Sequence, residues 1–204
     1  MRTHASDLSM SQYLTSSDLL RNPRNHSIPI LDIIPIPDDE EKRVFMVMPR
    51  LVPLYEPDLH CRREFFEALR QLLEGLDFMH SLNISHGDVN ALNFMIDYSK
   101  VCRRVIIRYY LIDFESAQEF PDGQESALAK RPLRCGVRSS LEFSLGLPSN
   151  PFKLDVYNAA ATFFELCEQY QGLDDFRPLL LNMMSEDPLA RPDMAEARRA
   201  RVFE

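Results

Sequence analysis

From Glu64 onward the apolar residues settle into a step that one long amphipathic helix satisfies. Phe65, Phe66, Leu69, Leu72, Leu73, Leu76 and Met79 recur at three- and four-residue intervals, which stacks them on one helix face with polar residues opposite. Such a stripe has to be buried against other elements, so the rest of the chain must supply a partner layer. A second helical run, Val156, Ala159, Ala160, Phe163, Phe164 and Cys167, has a wider apolar face and is expected to be enclosed. Phe176 to Met184 predicts another helix, and Pro192 the opening of the last, because proline suits a first helical position.

Strand signals lie before and between these helices. FMID (94–97) and VIIRYYLID (105–113) are short and rich in β-branched and aromatic residues, predicting a hairpin. Earlier, residues 7–21 suit a short helix with a turn at Thr15–Asp18. NHSIPILDIIPIPDD and RVFMVMPRL suit two strands joined by a polar hairpin at Asp38–Lys42. Pro49, Pro53 and Pro57 mark an extended connector, and residues 115–150, rich in turn formers, predict a long loop of the kind that is usually functional or disordered. The order predicts an α+β fold with a mainly helical second half.

At 204 residues the chain can bury a substantial core. A net charge of −8 argues against nucleic-acid binding, since phosphate contacts need clustered cations. The short basic runs at Arg103–Arg104, Lys130–Arg134 and Arg198–Arg201 suit solvated faces. No run approaches the roughly 20 apolar residues that span a bilayer, and the first residues lead into no apolar stretch of a signal peptide. Cys61, Cys102, Cys135 and Cys167 are scattered without metal-ligand spacing, which suggests reduced thiols and an intracellular location, cytoplasmic or nuclear. No membrane or nucleic-acid partner is expected.

The chemistry is concentrated in ISHGDVNALNFMID and the following YYLIDFE. They place His86, Asp88 and Asn93 in the pattern H-x-D-x-x-x-x-N directly after the long helix, with Asp113-Phe114 closing the hairpin. Phosphoryl transfer needs positioning and charge neutralisation more than covalent help. A carboxylate can take the acceptor hydroxyl's proton, while an amide oxygen and a second carboxylate hold Mg²⁺ on the phosphates. Asp88, Asn93 and Asp113 are the residue types for those tasks.

These stretches resemble the eukaryotic protein kinases, whose signatures are H-R-D-L-x-x-x-N and D-F-G. Further matches follow in kinase order: Ser140-Leu141-Glu142 for A-P-E, Asp155-Val156-Tyr157 opening the enclosed helix, and Arg191 in EDPLARP. The runs NPRNHSIPILDIIPIPDD, RVFMVMPRL, QLLEGLDFMHS and NPFKLDVY are similar to a group of fungal, basidiomycete-type kinase-like proteins, over nearly the whole chain. The resemblance implies a protein-kinase-like fold with ATP and Mg²⁺ as cofactors and a protein Ser/Thr substrate or protein partner. In it Asp88 is the base, Asn93 and Asp113 are metal ligands, and Met48 and Met95 lie against adenine. His86 supports the loop, Glu142 and Arg191 form a buried ion pair, and Asp155 braces the catalytic loop. Asp155 as a plain helix N-cap is the competing structural role.

The same resemblance aligns Asp7 with the helix-C glutamate and Met48–Arg50 with the hinge, which implies a remnant of the kinase small lobe over 1–50 and the large lobe over 51–204. It implies that the glycine-rich loop and its lysine are missing from the small lobe, for which Lys42 lies in the wrong hairpin to substitute. Glu115 replaces the glycine of D-F-G, Gly87 the arginine of H-R-D, and Asn90 the lysine of Ser/Thr kinases. These departures leave open a pseudokinase that acts as an interaction module. A third alternative is a small-molecule kinase of the aminoglycoside or choline kinase type, which shares HGD and the ending IDFE.

Overall fold

The computed structural model describes residues 2–3, 5–56, 58–97, 107–129 and 138–203, with side chains from Leu8 onward. Cys102, Cys135, Arg103–Arg104, Lys130–Arg134 and the side chain of Asp7 lie outside the described residues. The fold is mixed, with helices and small antiparallel sheets, compatible with the α+β expectation.

The chain opens with β1 (Arg2–Thr3), α1 (Ala5–Leu14) and α2 (Ser17–Leu20). β2 (Asp32–Pro35) and β3 (Val44–Val47) pair antiparallel, with Asp32 opposite Val47, and β1 adds to the other edge of β3. Their hairpin turns at Asp38 (φ 55°) and the exposed Lys42 (φ 53°), and is closed by an ion pair of Asp39 with Arg43. The predicted strand over 25–39 is realised only at β2. Its first part is spent elsewhere: Ser27 bridges Leu111 in parallel, Leu111 N donates to His26 O (2.8 Å) and Ile28 N to Leu111 O (3.1 Å).

β4 (Val52–Pro53), β6 (Phe94–Ile96) and β7 (Tyr109–Leu111) make a second sheet in the order β4-β6-β7. The long helix is α3 (Arg62–Ser81), close to its predicted extent. Phe65, Leu69, Leu72, Leu73 and Leu76 are all fully buried along its stripe. Gln71 is buried on a different face of the helix, with both ends of its amide used. Its Nε2 donates to Ile107 O (2.8 Å) and its Oε1 accepts from Tyr109 N (3.1 Å), which fastens β7 to the helix. A Cβ at Gly75 would stand 2.8 Å from His26 Cβ, so only glycine lets the 26–28 segment lie this close to α3.

β5 (Ile84–Ser85) pairs with β8 (Gln118–Glu119). Together with α4 (Leu141–Ser144), β8 gives regular structure to a region expected to be loop throughout. α5 (Pro151–Gln169) starts five residues before its first predicted apolar position, capped by Asn150, whose Oδ1 accepts from Phe152 N and Lys153 N. α6 (Arg177–Met183) and α7 (Met194–Arg198) complete the order. Pro192 does not open α7: Asp193 is its N-cap, in a reciprocal capping box with Glu196, which satisfies two otherwise orphaned N–H groups. The main core joins α3, α5 and α6 around Phe65, which meets Phe163 edge-on at 5.5 Å and Phe176 at 4.8 Å. Leu14 of α1 belongs to the same core. Among the described residues no helix is long and apolar enough to cross a membrane.

Candidate active site

The loop between β5 and β6 is suspended from a carboxylate inside α5. Asp155, fully buried, accepts from His86 N (2.7 Å, Oδ2) and Gly87 N (2.9 Å, Oδ1), and His80 Nε2 of α3 lies 3.0 Å from Oδ2. Asp155 is the fifth residue of α5, so it neither opens nor caps the helix; Asn150 does that. A buried carboxylate is costly unless its lone pairs are taken up, and here three donors converge on it. His80 was not singled out from the sequence. It shows there only as one polar residue near the end of an apolar helix, and its partner is 75 residues away.

His86 carries the frame onward. Its Nε2 is 3.1 Å from Ile112 O, and Nδ1 accepts a long hydrogen bond from Asp88 N (3.4 Å). One nitrogen donates and the other accepts, which fits a neutral ring. Burial holds the His86 pKa below its ordinary value, against the opposing pull of the Asp155, Asp88 and Asp113 carboxylates around it. Ile112 N in turn donates to Asn93 O (3.2 Å), so the strand end carrying Asp113 is tied to both ends of the loop.

Within this frame Asp88 is 6% exposed and Asn93 5% exposed. Asn93 closes a 3-10 turn, Ala91–Asn93, and its Nδ2 donates to Asp88 O (2.8 Å), while its Oδ1 takes no hydrogen bond from the described residues. Asn90 caps that turn through Leu92 N (2.9 Å) and reaches Asp88 Oδ1 with its Nδ2 (2.9 Å). Asp113 adopts a left-handed backbone, φ 62° and ψ 70°, ahead of a 3-10 turn at Phe114–Ser116. The left-handed strain thus falls on Asp113, and Glu115 sits at negative φ, where it needs no glycine. Asp113 Oδ1 is buried and has no hydrogen-bond partner among the described residues.

Gly87 is demanded by its surroundings. Its φ is +77°, and a Cβ there would stand 2.5 Å from Ser116 O. The close approach packs the loop against the turn that follows Asp113, and Phe114 is buried beside His86 with ring centroids 5.4 Å apart.

A pocket opens on Asp113. Ser11, Ile28, Ile30, Met46, Met48, Ile112, Asp113 and Phe114 line this small, partly open space. Met48, just beyond β3, therefore meets Asp113 across this pocket. Met95 lies on β6 opposite Tyr110 and Pro53, half-buried and outside that lining. Among the described residues no group of three His, Cys, Asp or Glu side chains could by itself hold a metal. The available oxygens are Asp113 Oδ1 and Asn93 Oδ1, a hard donor set that a divalent cation would share with phosphates and water.

The last predicted pair stands apart from the loop. Arg191, 1% exposed, grips Glu142 with both terminal nitrogens (Nη1 to Oε1 2.6 Å, Nη2 to Oε2 2.9 Å). Its Nε donates to Ser185 O, and its guanidinium lies 4.8 Å over the Tyr157 ring. Burial is the largest single influence on Glu142 and would raise its pKa, but the hydrogen bonds and charge of Arg191, with its own backbone N–H and Ser140, together outweigh it and hold the carboxyl below its usual range. Lys153 Nζ donates to Arg191 O (2.6 Å), which joins the pair to α5, the helix that also carries Asp155. No protein-family model matches the sequence.

Proposed function

We propose that this chain is a protein-kinase-like domain that binds a nucleoside triphosphate with Mg²⁺ and transfers the terminal phosphoryl group to a hydroxyl. The observation that carries the reading is the hydrogen-bonded frame from Asp155 through His86 to Ile112 and Asn93. It gathers Asp88, Asn93 and Asp113 and leaves a buried Asp113 oxygen without a partner among the described residues. Two hard oxygens completed by phosphates and water form the sparse set that suits Mg²⁺, which dehydrates reluctantly. Asn93 and Asp113 would hold the cation. When bound, it neutralises charge on the phosphate oxygens.

Asp88 accepts the acceptor hydroxyl's proton as the new P–O bond forms and the bond to the leaving diphosphate breaks. Met48 and Met95 would border adenine, as the resemblance implies. The Glu142–Arg191 pair and Asp155 hold the surrounding backbone. A Ser or Thr of a protein partner is the acceptor that the resemblance implies, and an intracellular setting follows from the same reading.

Incubation with γ-labelled ATP and Mg²⁺, using a generic protein substrate beside a panel of small amino alcohols, tests the assignment. Label should reach the protein acceptor and be lost in Asp88→Asn. Label confined to the alcohols would move the assignment to small-molecule kinases. The absence of any label, with folded protein, would defeat catalysis.

A further inference from the structure

We infer that Asn90 is a positioning residue for the base Asp88, an inference that deepens the phosphoryl-transfer reading and rests on it. The Asn90 amide is used at both ends. Oδ1 accepts from Leu92 N (2.9 Å), and Nδ2 donates to Asp88 Oδ1 (2.9 Å) and Asp88 O (3.2 Å). The two contacts fix which end of the amide is which, because only oxygen can accept from Leu92 N–H and only NH₂ can serve the carboxylate. The side chain therefore ties the carboxylate to the start of the 3-10 turn that ends at Asn93. Asp88 and Asn93, the base and a metal-holding residue in the proposed reaction, are registered against each other through the Asn90 amide.

A lysine at this position, as in Ser/Thr kinases, has three donors and no acceptor, so it could not cap Leu92 N while reaching Asp88. Asn90 does both, and it adds no cation beside the base. The plain alternative is that Asn90 is only a turn cap, for which Asn is a preferred type. The geometry separates the two roles, since the cap uses Oδ1 and the clamp uses Nδ2. Asn90→Asp keeps the cap acceptor and loses the donor. Asn90→Ser also keeps a capping oxygen, loses the amide and adds no charge.

The test is single-turnover hydrolysis of ATP with Mg²⁺ by the whole chain, with water as acceptor, in wild type, Asp88→Asn, Asn90→Asp and Asn90→Ser. Thermal melts accompany each variant to show that it is folded. Misplacing a reacting group by about 1 Å costs on the order of 100-fold. Both Asn90 variants should therefore lose roughly 10- to 100-fold in kcat, with the KM for ATP within about threefold of wild type and Tm little changed. If both hydrolyse ATP at the wild-type rate while Asp88→Asn does not, Asn90 is only a cap: the inference falls and the phosphoryl-transfer reading stands. If wild type does not hydrolyse ATP, or Asp88→Asn hydrolyses it equally well, the reading itself fails and the inference with it.

Discussion

At the residue scale, a few positions have roles with measurable costs. Asp155 satisfies His86 N, Gly87 N and the His80 ring at once. Asp155→Ala strands three buried donors, each worth about 1–3 kcal/mol. A loss of about 3–5 kcal/mol in urea unfolding is expected, and a loss under about 1 kcal/mol would show that the frame is not held there. Gly87→Ala combines positive φ with a 2.5 Å approach to Ser116 O, whereas Gly172, also at positive φ, has open space around its Cβ direction. Gly87→Ala should therefore cost more than Gly172→Ala, by at least about 1 kcal/mol. His86 and His26 are both buried with pKa values lowered chiefly by desolvation. The unfolded chain binds those protons more readily, so their stability contribution is full above a pH of about 6.5 and declines as pH falls below it. The urea midpoint should drop between about pH 7.5 and 5.5, and less steeply in His86→Asn.

At the scale of elements, the period of the apolar residues was enough to read α3, because Phe65 to Met79 form one unbroken stripe. It was not enough for α5, whose first turn is announced by Asn150 and Pro151 rather than by apolar spacing, nor for α7, which starts at the Asp193–Glu196 capping box. The segment 26–28 reads like a continuation of a strand but pairs with β7, some 80 residues on. Such partners leave no local trace. The site divides in the same way: His86, Asp88 and Asn93 are legible in one short run and Asp113 in a second, while His80 and the clamp from Asn90 appear only once the loop is folded. Where α4 meets the turn before α7, Glu142 and Arg191 are 8% and 0% exposed in their side chains. Breaking a buried pair by removing one partner costs about 3–5 kcal/mol, because the other charge is left uncompensated. Glu142→Gln should fall in that range by chemical denaturation, and Glu142→Gln with Arg191→Met should recover part of the loss. If the double variant loses as much as the two singles added together, the pair is not coupled.

At the scale of the whole molecule, the arrangement is a buried helical core that presents one polar loop. α3 and α5 cross the core, and each sends a polar side chain, His80 and Asp155, to the same point beneath the loop. The loop is thereby fixed to buried side chains of both helices, while the segment after β7 and α1 bring Asp113 and Ser11 to the pocket beside it. Preorganisation of this kind is what phosphoryl transfer asks of a protein, since positioning and charge account for most of its catalysis. The central claim is that the uncommitted oxygens of Asp113 and Asn93 hold a Mg²⁺–nucleotide. It is tested most directly by titrating the folded chain with ATP in a calorimeter, with and without Mg²⁺, beside an Asp113→Asn variant. The account predicts saturable binding heat that requires Mg²⁺ and is lost in the variant. No heat from the folded wild type, or equal heat in Asp113→Asn and without Mg²⁺, would contradict it.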